Sequence, residues 1–202
     1  MQQLLLDQDE GWRILDMASG PNSHWPMAQV KCDQRDYSKR YPKHQFDRCM
    51  ASQTPYKDKE FDFVVAGHIA EHVEDPAAFI AELMRIGKRG YIEVPTPLFD
   101  NLVIGNPEVH HWWVTFDDVE ESLVFVKRID VLRQHIDFIE LELIQPFFRC
   151  SIVTELYWED DIKWRYDEPI FQDGRVKVDL RDGKKITPWL LGQQTMRNLK
   201  RG

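Results

Sequence analysis

A strand–helix–strand pattern in the first half of the chain constrains its fold most. Residues 61–67 form a continuous apolar run, as expected of a strand that is covered on both faces. The segment 75–86 predicts a helix, because Asp75 suits the N-cap, Pro76 suits the first turn and apolar residues recur at three- and four-residue spacing. Residues 91–95 predict the next strand. A helix that joins two strands of one sheet makes them parallel, so the pattern predicts an α/β fold with right-handed crossovers.

Two earlier segments extend this sheet. Residues 13–17 are a short apolar run that stops at a turn cluster over 19–23, and residues 28–33 form a weaker strand that ends in an acid. We therefore predict a Rossmann-like, mostly parallel sheet with flanking helices.

The second half of the chain has a different pattern. Residues 98–113 predict a loop-like connector, 122–127 a strand, and 129–143 a helix or a long strand. After Pro146 the chain is aromatic and strand-like, and residues 175–185 alternate around Asp182-Gly183, which predicts a hairpin. We expect a core over 1–145 and an antiparallel β-rich elaboration over 146–202 that packs on it as part of one domain.

Composition restricts the function classes. The 202 residues include 26 Lys and Arg against 34 Asp and Glu, a net charge of −8, which disfavours a nucleic-acid partner. Three cysteines are too few and too scattered for a disulfide scaffold, so a reducing, cytoplasmic setting is expected. No apolar run reaches the roughly 18–20 residues of a membrane span.

Four segments carry a resemblance to a known family. Residues 14–20, Ile-Leu-Asp-Met-Ala-Ser-Gly, resemble the first motif of class I S-adenosylmethionine-dependent methyltransferases. Residues 61–65, 71–76 and 87–95 resemble the later landmarks of that family in the same order. The resemblance covers roughly 12–115 and implies S-adenosylmethionine as the cofactor and methyl transfer as the activity.

The resemblance also assigns a cofactor site to the carboxyl edge of the sheet. A turn of small residues there lets backbone approach a ligand closely. Asp16 would act through a bound water or a backbone amide, and Asp33 would accept the ribose hydroxyls, although an exposed turn residue is the alternative interpretation of Asp33. The residues that the resemblance places at the cofactor are Asp16, Ala18, Ser19, Gly20, Asp33, Met50, Ala51, Ser52 and His68.

The sequence departs from the family pattern around this site. Ala18, Gly20 and Asn22 stand where the family has three alternating glycines, and Met50 stands where it has an acid. Asp16 and Asp33 are too close in sequence for a full helix and a strand between them. We therefore expect the first crossover helix to be cut to a turn.

Histidines and one carboxylate form the candidate chemical site. His68, Glu71 and His72 follow the strand at 61–67 at a spacing that shares one helical face, and His111 follows the next strand. Three interpretations stay open. In the first, His72 is a structural residue. In the second, one of His68, His72 and His111 is a general base. In the third, His68, Glu71, His72 and His111 hold a divalent metal, in a pattern that resembles the small-RNA terminal 2′-O-methyltransferases, with Zn, Mn or Fe favoured by these ligands.

The predicted function is methyl transfer from S-adenosylmethionine to a small-molecule or saccharide-type acceptor, at oxygen. Trp112 and Trp113 either line an acceptor pocket or belong to the core. Two alternatives accompany this prediction: a catalytically inactive methyltransferase-like binding or regulatory protein, and a metal-dependent enzyme similar to the 2′-O-methyltransferases.

Overall fold

The computed structural model describes residues 11–102, 109–128, 152–168, 171–172 and 175–176. The chain divides into two compact units, Met1–Val94 with Glu155–Ile162, and Pro95–Thr154 with Lys163–Gly202. The predicted division at residue 145 stays a prediction. The described helices are α1 Pro76–Ile86, α2 Pro97–Leu102 and a short 3-10 turn Ser38–Arg40. The described strands are β1 Ile14–Met17, β2 Val30–Asp33, β3 Gln45–Arg48, β4 Phe63–Gly67, β5 Arg89–Pro95, β6 Trp112–Asp117, β7 Ser122–Lys127, β8 Val153–Glu159, β9 Trp164–Asp167, β10 Phe171–Gln172 and β11 Arg175–Val176.

The first unit is built on a six-stranded sheet with the order β3-β2-β1-β4-β5-β8. The pairs β1–β2, β1–β4, β2–β3 and β4–β5 are all parallel. The strand order reverses between β1 and β4, which makes the carboxyl ends of these strands the switch point of the sheet. The predicted Rossmann-like α/β fold is confirmed.

Helix α1 forms for the reasons that the sequence indicates. The Asp75 carboxylate accepts a hydrogen bond from the Ala78 amide at 3.1 Å, which caps the first turn. Phe79, Ile80, Leu83 and Ile86 are fully buried along one face of the helix. The helix predicted over 75–86 is therefore confirmed.

No helix joins β1 to β2 in the described part of the chain. Residues 18–29 form turns instead, as the short spacing predicts. Trp25 and Ala28 from this segment pack into a buried cluster with Ile14, Phe63 and Tyr91. One indole thus covers apolar surface that a crossover helix would otherwise bury.

The second unit contains a three-stranded sheet with the order β6-β7-β9. The pair β6–β7 is antiparallel, whereas β7–β9 is parallel. Trp113, Leu123 and Phe125 are fully buried in its core. The strand predicted over 122–127 is confirmed, and the sheet that contains it is mixed.

The connector predicted over 98–113 is wrong at both ends. Pro97 opens the helix α2, where the Thr96 hydroxyl accepts from the Phe99 amide at 3.3 Å, an N-cap contact that the prediction did not use. At the other end, β6 begins at Trp112 because it pairs with Lys127 of β7. Strands β10 and β11 pair antiparallel. The predictions for 129–143 and for the turn at Asp182-Gly183 lie outside the described residues.

Within the described ranges, none of the helices has the length and apolar character that crossing a membrane requires.

Candidate functional site

The turn that follows β1 leaves space for a ligand beside its backbone. Ala18 and Gly20 both adopt positive φ angles, 54° and 60°, and the Ser19 amide donates to the Cys32 carbonyl at 2.9 Å. A Cβ at Gly20 would meet no atom within 4 Å. The buried Ser19 hydroxyl has no hydrogen-bond partner among the described residues. A buried polar group of this kind suits a site that a polar ligand completes.

Asp33, at the end of β2, joins the two strand ends at this edge. Its Oδ2 accepts from the Gly20 amide at 3.0 Å, and its Oδ1 accepts from the Arg35 amide at 2.9 Å. An ionised carboxylate offers about four acceptor sites, so each oxygen retains capacity for a hydroxyl donor. The half-buried Asp33 is therefore held by backbone in a position from which it can accept ribose hydroxyls.

Asp16, at the carboxyl end of β1, has partners that the sequence does not indicate. It is only 3% exposed and accepts from the Ser23 hydroxyl and, at 3.2 Å, from Lys31 Nζ. Burial raises the pKa of Asp16, while Ser23 and Lys31 oppose that rise. The Asp16 carboxylate is thus hydrogen-bonded to Ser23 and Lys31. Its predicted contact with a cofactor stays a prediction.

The segment that the resemblance places beside adenine follows β3. The Cys49 amide donates to the Asp33 carbonyl at 3.1 Å, which ties this segment to the end of β2. Met50 is 54% exposed, and Ala51 and Ser52 are half-buried. The three residues thus lie beyond the carboxyl end of the strand next to β2, and their role at adenine stays a prediction.

His68 stands at the end of β4 in an unusual backbone conformation. Its φ of 53° is in the left-handed region, which costs a residue with a side chain about 1 kcal/mol or more. The Nε2 atom lies 3.0 Å from Glu93 Oε1, and Nδ1 lies 3.7 Å from Glu71 Oε1. Glu93 Oε2 accepts from the Tyr91 hydroxyl at 2.6 Å. The imidazole is therefore held between two carboxylates of the first unit.

We expect His68 to be a cation at neutral pH. Burial favours the neutral imidazole, but the carboxylates of Glu71 and Glu93 outweigh it and raise the pKa of His68 to about 9. Because the folded pKa is raised, the stability that this proton contributes is full below about pH 6.5 and is lost as the pH rises through about 9. A proton NMR titration of His68 should give a midpoint near 9 in the wild type and a lower one in Glu93→Gln. A wild-type midpoint at or below 6.5 would contradict this prediction.

Glu71 and His72 complete the cluster in the first unit. Glu71 is 1% exposed, and neither carboxylate oxygen has a hydrogen-bond partner among the described residues. Its Oε1 lies 3.7 Å from His68 Nδ1 and 3.7 Å from His72 Nε2. The turn is closed by the His72 amide, which donates to the Ile69 carbonyl at 2.9 Å. The structure thus brings together three of the four predicted residues, and their catalytic roles stay predictions.

His111, the fourth predicted residue, belongs to the second unit. It is half-buried just before β6, and its carbonyl accepts from the Arg128 amide at 3.0 Å. Its predicted convergence with His68, Glu71 and His72 stays a prediction. Of the two tryptophans that follow, Trp113 is a core residue at 1% exposure, and Trp112 is half-buried with Lys127 Nζ 4.7 Å from its ring centre.

A buried pair in the second unit was not predicted from the sequence. His110 Nδ1 lies 2.7 Å from Asp100 Oδ1, and both residues are less than 9% exposed. An aspartate on one ring nitrogen orients a histidine and sets its tautomer. The pair joins a helix residue to one that precedes a strand, so no local sequence pattern signals it.

The strand order and the open turn at the carboxyl edge of β1 and β2 define a Rossmann-like domain of the class that binds nucleotide-type ligands. Residues 25–92, about a third of the chain, match the family described as a methyltransferase domain. This match and the motifs at 14–20, 61–65, 71–76 and 87–95 support a domain of the class I S-adenosylmethionine-dependent methyltransferase type in this part of the chain.

Several solved structures are similar to part of the chain. The YcgJ protein of Bacillus subtilis is 19% identical with a TM-score of 0.39, covering 47% of this chain and 50% of that one. A putative methyltransferase of Bacillus halodurans is 19% identical with a TM-score of 0.41, covering 47% and 49%. Geranyl diphosphate C-methyltransferase of Streptomyces coelicolor, solved with Mg²⁺, geranyl diphosphate and S-adenosyl-L-homocysteine, is 15% identical with a TM-score of 0.40, covering 47% and 45%. The chain thus matches about half the length of these structures. The comparison with curated proteins gives no match.

Proposed function

We propose that this protein transfers the methyl group of S-adenosylmethionine to an oxygen of a small-molecule or saccharide-type acceptor. One observation carries the proposal. The carboxyl ends of β1 and β2 present an open turn at Gly20 and, directly beside it, the backbone-held carboxylate of Asp33. This is where a ligand binds in an open α/β sheet.

The residues of this edge suit the cofactor. The Asp33 carboxylate accepts hydrogen bonds from the two ribose hydroxyls, and the backbone at Ala18 and Gly20 lies under the methionine part. The buried Ser19 hydroxyl, which lacks a partner among the described residues, gains one from a polar group of the ligand. Met50 is exposed in this structure, so its thioether is accessible to pack on the adenine ring of the cofactor.

The cofactor supplies an electrophilic methyl group, and the protein must orient the acceptor and take its proton. Because Glu71 and Glu93 raise the pKa of His68 to about 9, we expect this residue to act by charge and position rather than as the base. His72, whose ring lies 3.7 Å from the Glu71 carboxylate, is the proton acceptor that the first unit offers. In the second unit, His111 is the predicted candidate for the same role.

A metal-assisted variant of this reaction is the second candidate. The observation that favours it is the Glu71 carboxylate, which is buried between two imidazoles and has no hydrogen-bond partner in the described part of the chain. Carboxylate with imidazole is a donor set for Zn, Mn or Fe. Elemental analysis of the purified protein and its activity after chelator treatment decide between the metal-free and the metal-assisted reaction.

Titration with S-adenosylhomocysteine tests whether the protein binds the cofactor, and a methylation assay then distinguishes an enzyme from a protein that has lost catalysis. We expect calorimetry to give a dissociation constant well below 1 mM, and labelled S-adenosylmethionine to methylate an acceptor in pooled small molecules. His72→Ala should then lower kcat by about 100-fold or more and leave the affinity for S-adenosylhomocysteine unchanged, since general bases contribute about that much.

The neighbouring residue Glu74 provides the matched control, because it is exposed and lies two positions after His72. Absence of binding near 1 mM would overturn the enzyme proposal. Binding without any methylated product would favour the inactive, regulatory alternative, and unchanged turnover in His72→Ala would remove His72 as the base.

A further inference from the structure

A buried lysine lies under the turn that follows β1. Lys31, in the middle of β2, is 2% exposed. Its ammonium group donates to Asp16 Oδ2 at 3.2 Å, to Ser23 Oγ at 2.8 Å and to the Trp25 carbonyl at 2.9 Å. An ammonium group has three donors, so every one of them is used.

Burying the Lys31 ammonium group costs free energy unless all of its hydrogen bonds are made. A charged group in a protein interior is tolerated only when it is paired and hydrogen-bonded. Lys31 meets that condition with one carboxylate, one hydroxyl and one backbone carbonyl. Two of its three acceptors, Ser23 and Trp25, belong to the turn segment between β1 and β2 rather than to the sheet.

Tyr41 also holds this turn segment. The Tyr41 hydroxyl donates to the Gly20 carbonyl at 2.7 Å and accepts from the Ser23 amide at 2.8 Å. Lys31 Nζ lies 5.2 Å from the centre of the Tyr41 ring, a cation–π distance. Ser23 is the common point, since its hydroxyl donates to Asp16 and accepts from Lys31 and from the Trp25 amide.

This hydrogen-bond network reaches Gly20 and Asp33, two of the residues assigned to the cofactor. The Gly20 carbonyl is bound by Tyr41, and the Gly20 amide donates to Asp33 Oδ2 at 3.0 Å. A crossover helix would hold its own backbone through internal hydrogen bonds, but residues 18–29 form turns and have no such ladder. Side chains from β2 and from the turn after it must do this instead.

We propose that Lys31, together with Asp16, Ser23 and Tyr41, replaces the missing first crossover helix and sets the affinity for the cofactor by fixing the turn at Gly20. Lys31 is a positioning residue in this proposal, because its donors are all used within the protein. The proposal rests on the cofactor site proposed above. It explains how a chain with Ala18 and Asn22 in place of two family glycines can keep a pre-formed cofactor turn.

Two variants test the role of the network. Lys31→Met keeps the length of the side chain and removes the charge, and Tyr41→Phe removes one hydroxyl and keeps the ring. The matched control is Lys88→Met, because Lys88 also pairs with an aspartate, Asp62 at 2.7 Å, but is 50% exposed. We expect both test variants to raise the dissociation constant of S-adenosylhomocysteine by at least 10-fold, with KM for S-adenosylmethionine raised to match and kcat within about twofold.

A second readout does not depend on the cofactor. Hydrogen exchange of the amides over 19–28 should be at least 10-fold faster in both test variants than in the wild type and in Lys88→Met. If Lys31→Met does not fold, Tyr41→Phe alone decides, since it leaves no charge unpaired. Affinity and exchange both within twofold of the wild type in Tyr41→Phe would overturn the proposal. If the wild type binds no S-adenosylhomocysteine, the proposed function fails, and faster exchange over 19–28 would still identify the network.

Discussion

Asp33→Asn should weaken the binding of S-adenosylhomocysteine by about 100-fold. The Asp33 carboxylate accepts from the amides of Gly20 and Arg35, one on each oxygen. An asparagine amide group would turn a donor toward one of these donors, and it would also lose the charge that strengthens hydrogen bonds to ribose hydroxyls. A loss of about 2.7 kcal/mol corresponds to this factor of 100. Calorimetric titration of the folded variant measures it.

Asp36→Asn is the matched control for this prediction. Asp36 lies three positions on and its carboxylate accepts from the Ser38 amide at 2.9 Å, a local contact similar to that between Asp33 and Arg35. It is exposed and does not contact Gly20 in the described structure, so its affinity should stay within twofold of the wild type. Equal affinities for Asp33→Asn and the wild type would show that the ribose does not bind at Asp33.

Gly90→Ala should lower the free energy of unfolding by about 3 kcal/mol. A Cβ at Gly90 would lie 2.3 Å from the Val64 carbonyl oxygen and 2.7 Å from the Trp158 ring. The first of these atoms is backbone of the fully buried Val64 in a paired strand, so relief requires β4 and β5 to separate. Overpacking that moves backbone is among the few mechanisms that destabilise a protein this strongly.

The control variant for Gly90 is Gly11→Ala, where a Cβ would meet no atom within 4 Å. Urea denaturation of both variants, with the midpoint and slope fitted together, gives the comparison. We expect Gly11→Ala to lie within about 0.5 kcal/mol of the wild type. A Gly90→Ala protein as stable as Gly11→Ala would mean that β4 and β5 do not approach as closely as they do here.

Local pattern explains which elements could be predicted. Helix α1 and strand β4 follow from apolar periodicity and a capping residue, all within one segment. Strand β3 was not predicted, because Gln45–Arg48 has no apolar alternation. It lies at the edge of the sheet, where polar side chains are ordinary and pairing with β2 decides the structure.

The candidate site divides in the same way. The positions of Gly20 and Asp33 at two strand ends could be inferred from sequence, since parallel strands end at one edge of the sheet. The partners of Asp16 could not, because Lys31 is fifteen positions away and would be placed at a surface by its residue type alone. The pair of Asp100 and His110 likewise depends on the path of the chain between a helix and a strand.

The sequence alone determined the α/β class, the order of the family motifs and the loss of the first crossover helix. These depend on residue spacing along one segment, which is a local property of the chain. Only the tertiary structure decided what takes the place of that helix. Trp25 covers the apolar surface, and Lys31 and Tyr41 hold the backbone of the turn. These contacts join residues that are distant in sequence, and their free energy depends on burial and on complete hydrogen bonding, which exist only once the sheet has formed.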